Sequence, residues 1–269
     1  MSAPAGTSIV SIVIDALRTC GQQRDDLFWL ALPNVVAMSL LQAAALTVND
    51  ALGIRIADLA PAPGVEPPDN IGLFLLVLLA LIAASAYFLV TFSVAWLRRI
   101  LTPLETPTIG ETLRWRPRHT RFLLHWIGFL LSASMLLLII GAPLAAAGPL
   151  LAAIFAVGLV WLYGRLSLVF PAIAVDRPLN LSQSWQATKR RGHLVFGVIV
   201  GTSIAVLLPS MAVRFVASAI VQDTGSIIVR WLTMLVVEGV AITSLACLLS
   251  ALAIVFRLCT SGGRTVAMV

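Results

Sequence analysis

Six predominantly apolar stretches, each close to or above 20 residues, leave this chain few ways to fold. They cover residues 27–48, 72–97, 122–140, 150–175, 194–221 and 227–256. At about 1.5 Å of rise per residue, each is long enough to cross roughly 30 Å of hydrocarbon as a helix. The expected fold is all-α: a polytopic membrane bundle of six transmembrane helices, forming one membrane domain over 1–269. The second and sixth stretches are long enough to require tilt. Pro209, inside the fifth, is expected to kink it because proline removes a backbone donor.

Composition agrees. Only 11% of the 269 residues are charged, against about 25% in a typical soluble domain. With a mean hydropathy of +1.00, the charge is too sparse to cover a water-facing surface. The net charge of +6 sits in short loops between apolar runs. That is the distribution the positive-inside rule produces, not a nucleic-acid-reading face, so no nucleic-acid partner is expected.

Arginine placement sets the orientation. Arg18, Arg24, Arg98, Arg99, Arg114, Arg116, Arg118, Arg121, Arg177, Lys189, Arg190, Arg191, Arg257 and Arg264 all fall on one side of the six-span topology. Arg55 lies on the other, with Arg214 and Arg230 near its interface. The crowded side is expected to be cytoplasmic, with both termini on it. Lys189 is the one lysine, and alanine is abundant, a bias expected of a GC-rich bacterial genome and hence of a bacterial inner membrane. Met1–Val10 carries no basic leader region, so no cleaved signal is expected. Cys20, Cys247 and Cys259 lack paired spacing and are expected to be free thiols. The proline-rich connector 49–71 reads as an irregular, solvated outer loop.

Each odd-numbered span is preceded by a short basic, amphipathic stretch. One covers 8–24, with Ile9, Val10, Val13, Ala16, Leu17 and Cys20 at helical spacing on one face. The others cover 108–121 and 180–193; aligned without gaps, Ile109 meets Leu181, Leu113 meets Trp185 and Arg118 meets Arg190. This reads as a threefold repeat of interfacial helix plus hairpin. Pro117 and Gly192 would turn the chain into the bilayer. Arg114, Trp115, Arg116, Arg118, Arg121, Trp185, Lys189, Arg190 and Arg191 are the candidate contacts to anionic lipid headgroups or to a protein partner in the membrane.

The stretch Arg165–Asp176, followed by Ser184-Trp185 and Thr188-Lys189-Arg190-Arg191-Gly192, carries a family likeness. It resembles the bacterial membrane-domain family found fused to glycerophosphodiester phosphodiesterases, together with its stand-alone relatives of unknown function. The resemblance implies an inner-membrane helical bundle. It does not carry over the hydrolase activity, because this chain has no phosphodiesterase domain.

Two ionisable residues fall within reach of mid-membrane, Arg165 in the fourth span and Glu238 in the sixth. Such groups are costly in hydrocarbon, face the bundle interior and tend to pair. An ion pair between Arg165 and Glu238 is therefore expected, the alternative being that Arg165 snorkels to the interface. Asn34 and Gln42 share a face of the first span and are placed to bond across helices. His119, His125 and His193 lie apart with no acidic cluster, so neither a metal nor a cofactor is expected, and no catalytic constellation emerges. The expected function is that of a non-enzymatic accessory or scaffold organising lipid or a partner complex. The alternative is a transporter or flippase-like protein for a lipid or amphiphile.

Overall fold

A computed structural model of the protein describes residues 8–52, 70–102, 110, 113–177, 179–223 and 226–261. The helices are α1 (Ile9–Gln22), α2 (Arg24–Leu52), α3 (Ile71–Leu101), α4 (Pro117–Leu136), a π-helical turn (Leu137–Gly141) and α5 (Ala142–Ala147). They continue as α6 (Pro149–Leu166), α7 (Val169–Ala174), α8 (Leu181–Thr188), α9 (Gly192–Asp223) and α10 (Ile227–Ser261). No strand occurs among the described residues, and six of the helical segments are long and apolar enough to cross a membrane. The all-α, six-span bundle is therefore the fold.

The central helix is α10. It packs against α9, α2, α1 and α3, while α4 and α6 sit to the side, α4 joining the bundle through α3 and α7 and α6 through α9. Between lipid-soaked helices there is no strong hydrophobic drive to associate, so small residues and hydrogen bonds hold the contacts. Trp96 illustrates this: fully buried, it donates from Nε1 to the Ala246 carbonyl at 3.0 Å and to Ser250 Oγ at 3.1 Å. Cys20 Sγ lies 3.3 Å from the same hydroxyl, which fastens α1 to α10. The neighbouring Cys247 thiol, helped by Ser250, holds the Cys20 thiol below its ordinary range against the upward push of burial.

The first amphipathic stretch is a helix, but it does not lie loosely on a lipid surface. Ile12, Ala16 and Cys20 are buried against α9 and α10. Ile9 and Val13, one turn apart, sit over Gly197 and Gly201, one turn apart on α9. A Cβ on Gly197 would stand 2.4 Å from Ile9 Cδ1, and one on Gly201 would stand 3.3 Å from Val13 Cγ2. The pair forms a small-xxx-small groove that admits the ridge of α1. Val10, Ile14 and Leu17 point outward instead.

The second stretch is described only in part, and Gly110 and Leu113 within it are helical. Residues 108, 109, 111 and 112 lie outside the described part, Arg114–Arg116 is not helical, and the span begins at Pro117 rather than at 122. Proline starts this helix because the first-turn N–H it lacks has no intrahelical acceptor. Arg116 and His119 close the end reciprocally: the Arg116 N–H donates to His119 Nδ1 at 2.9 Å, and the His119 N–H donates to the Arg116 carbonyl at 2.8 Å. Among the described residues the helix-plus-hairpin plan is seen in the first unit and, through α8, in the third. Residues 53–69 of the outer connector lie outside the described part.

The third span also runs past the expected end at 140, since the chain stays helical to Ala147. Pro143 offers no N–H to the preceding turn, and the helix widens to a π turn over Leu137–Gly141, where the Ala142 N–H reaches back to the Leu137 carbonyl. Gly148 alone reverses the chain, at φ 157° and ψ 146°, a region open essentially to glycine. Span four breaks between Leu166 and Val169, ahead of Pro171. There the Ser167 carbonyl, which Pro171 one turn later cannot serve, accepts from the Phe170 N–H at 3.1 Å. At the far end of α7, Asp176 adopts φ 56°, with Arg177 N–H bonding the Ala172 carbonyl and Asp176 N–H the Ile173 carbonyl, a Schellman motif built on aspartate. Pro209 and Pro33 both lie inside unbroken helices.

Candidate functional site

Arg165 sits on the last turn of α6, 5% exposed. Its Nε donates to Thr188 Oγ1 at 3.1 Å and its Nη2 to the Trp185 carbonyl at 3.0 Å, both on α8. Its guanidinium carbon lies 3.5 Å from the Trp185 ring centre and 4.9 Å from that of Trp161. The two indoles stand at 90° to each other and form a corner around the cation. Ser184 completes the joint by donating to the Arg165 carbonyl at 2.8 Å. The cation is thus satisfied by π faces and hydroxyl and carbonyl oxygens, which suit a planar guanidinium in a desolvated site.

Glu238 is elsewhere. It is 8% exposed and accepts from Gln42 Nε2 at 2.5 Å, across the α2–α10 contact. The expected Arg165–Glu238 ion pair does not form: each residue has its own partners, Arg165 on the short helix that follows its span and Glu238 on the first span. Arg165 lies on the last turn of its helix, and α8 covers its guanidinium in place of water. Gln42 does bond across helices, as its position in the sequence suggested. Asn34 instead donates to the Leu30 carbonyl of its own helix at 3.0 Å, and its Oδ1 is buried without a partner.

The arginine-rich end of the bundle has two kinds of basic residue. The first kind ties helices together. Arg98 and Arg118 converge on one carboxylate oxygen of Asp176, at 3.1 and 2.7 Å. Arg99 meets Asp26 at 2.6 Å. Three arginines also donate to carbonyls at the C-terminal ends of other helices: Arg98 to Ala174, Arg191 to Leu258 and Arg257 to Ile100. Those carbonyls have no intrahelical donor, and the negative end of the helix dipole favours a cation there.

The second kind is exposed: Arg114, Arg121, Arg177, Lys189 and Arg190 show no ion pair among the described residues. Of the residues expected to contact lipid, Arg114, Arg121, Lys189 and Arg190 belong to this group. Arg118 and Arg191 serve packing, and Arg116 caps a helix. Trp185 forms the Arg165 corner. Trp115 stacks on Tyr87, ring centres 5.5 Å apart at 16°, and donates to Thr120 Oγ1 at 2.9 Å.

A further feature was absent from the sequence reading. The π turn and α5 pack against α6, with Gly141 of the turn facing Phe155, while at the arginine-rich end α4 reaches α7 and α6 reaches α8. Between these points α4 and α6 diverge, leaving a cleft of about 520 Å³. Its bridge is Tyr163, which packs edge-on against Phe129 and donates to Ser132 Oγ at 2.7 Å. No group of three or more metal-ligating side chains occurs among the described residues. Comparison with protein-family models, curated proteins and solved structures finds no match for this chain.

Proposed function

We propose that this chain is a multi-pass protein of a bacterial inner membrane, its arginine-rich end and both termini in the cytoplasm. It acts there without catalysis, as an accessory or scaffold that gathers anionic lipid or a partner complex. The observation that carries the reading is the split among the basic residues. Packing and helix capping employ Arg98, Arg99, Arg118, Arg191 and Arg257, yet Arg114, Arg121, Arg177, Lys189 and Arg190 remain exposed at the same end. Near an anionic leaflet each such residue contributes about 1 kcal/mol of attraction. The family likeness of 165–192 agrees with a membrane role and adds no chemistry.

The test is a photo-crosslinking residue at position 189 or 190 in living cells. Adducts with anionic phospholipid, or with one reproducible membrane protein, are expected; an absence of both would count against the reading. The diverging α4 and α6 favour a second reading, movement of a lipid or amphiphile through the side of the bundle. Reconstitution with labelled lipid decides it, and transfer no faster than in protein-free vesicles would eliminate it.

A further inference from the structure

We infer that the cleft between α4 and α6 is a built site for one acyl chain of an anionic phospholipid, with the phosphate held at Arg121; the inference rests on the lipid-organising reading above and makes it specific. The walls are apolar: Leu124 and Gly128 on one side, Leu162 and Leu166 on the other. Leu181, at the start of α8, closes the arginine-rich end. A volume of about 520 Å³ falls among ordinary ligand pockets, which run to roughly 300–1,000 Å³.

The polar groups are graded along the cleft as an amphiphile requires. Arg121 is exposed, without an ion pair among the described residues, and one turn before His125 on the same face of α4. His125 lies at the mouth, its Nδ1 2.8 Å from the Arg121 carbonyl. From there to Ser132 the helix rises about 10 Å, and no polar side chain of α4 between them lines the cleft. The Tyr163–Ser132 bond then spans the two helices. A cation at one end and an apolar run behind it match a phospholipid, not a soluble anion or an uncharged hydrocarbon.

Gly128 makes the inference testable, because a Cβ there would meet nothing within 4 Å. Gly128→Leu sets a branched side chain into the cleft from a position whose first added carbon is unobstructed. Native mass spectrometry of the full-length protein, stripped of lipid in detergent and titrated with phosphatidylglycerol or phosphatidylcholine, is the experiment. Wild type should retain one phosphatidylglycerol resistant to collisional activation. Gly128→Leu should weaken that binding at least tenfold with an unchanged unfolding temperature. Arg121→Gln should keep a bound lipid but lose the preference for phosphatidylglycerol. Lys189→Gln/Arg190→Gln should leave the retained lipid in place and reduce only the weaker adducts. If Gly128→Leu retains the lipid as wild type does, the cleft is not the site, and the wider reading survives or falls on the Lys189/Arg190 result alone.

Discussion

The Arg165 guanidinium lies 3.5 Å from the centre of the Trp185 ring, whose own backbone carbonyl accepts one of its hydrogen bonds. A desolvated contact of this kind contributes about 2 kcal/mol. Trp185→Leu keeps the carbonyl and loses the ring, so it should destabilise the protein by about 1–2 kcal/mol. Arg165→Lys should fall between wild type and Arg165→Gln, since lysine keeps the charge but not the plane. Thermal unfolding in detergent measures all three. An unchanged Trp185→Leu would show that the stacking is incidental.

Glu238 calls for a different outcome. Glu238→Gln still offers Gln42 an acceptor and should shift stability by less than about 0.5 kcal/mol, whereas Glu238→Leu strands the amide and should cost about 0.6–1.7 kcal/mol. The Arg165→Gln and Glu238→Gln effects should add within about 0.5 kcal/mol. A coupling well above 1 kcal/mol in that double-mutant cycle would mean that the two charges do pair.

At the α1–α9 groove, Gly197→Ala pushes a methyl to 2.4 Å from Ile9 Cδ1. The side chain can swing, but its Cγ1, 3.1 Å away, limits the relief. A loss of about 1–3 kcal/mol is expected from such overpacking. It should be largely restored by Ile9→Ala, and hydrogen exchange should show α1 loosening in the single variant alone. Failure of Ile9→Ala to rescue would place the strain elsewhere.

Asp176 serves Arg98 and Arg118 together while occupying φ 56°. Asp176→Asn tolerates that backbone and removes only the charge. Because the carboxylate is more than half exposed, the expected loss is about 1 kcal/mol or less, shrinking further in high salt. Asp176→Ala should lose more, and the excess should be insensitive to salt because it reflects the backbone.

The span count was legible because hydrocarbon demands length and apolarity, both of which one chain displays. Helix ends were less so. Pro117 begins a helix and Pro143 only widens one, and nothing local to either proline distinguishes the cases. The Arg165–Glu238 pairing failed for a physical reason: depth along a span says nothing about azimuth, and α8 brought its own acceptors and rings to the arginine. Gly197 and Gly201 carried a readable four-residue spacing, but the ridge that fills their groove, Ile9 and Val13, lies on a helix far away in sequence. Among the basic residues the sequence showed one undivided cluster. The division into helix caps and exposed charges exists only once the ends of α3, α7 and α10 are brought together.

The most direct test of the account is the lipid shell of the intact protein, extracted from its membrane in polymer nanodiscs and compared with the bulk lipid by mass spectrometry. The account predicts anionic phospholipid enriched around wild type, and that enrichment abolished when Arg114, Arg121, Arg177, Lys189 and Arg190 are all replaced by glutamine, with the fold intact. A shell of bulk composition around wild type, or an enrichment untouched by the five substitutions, would contradict it.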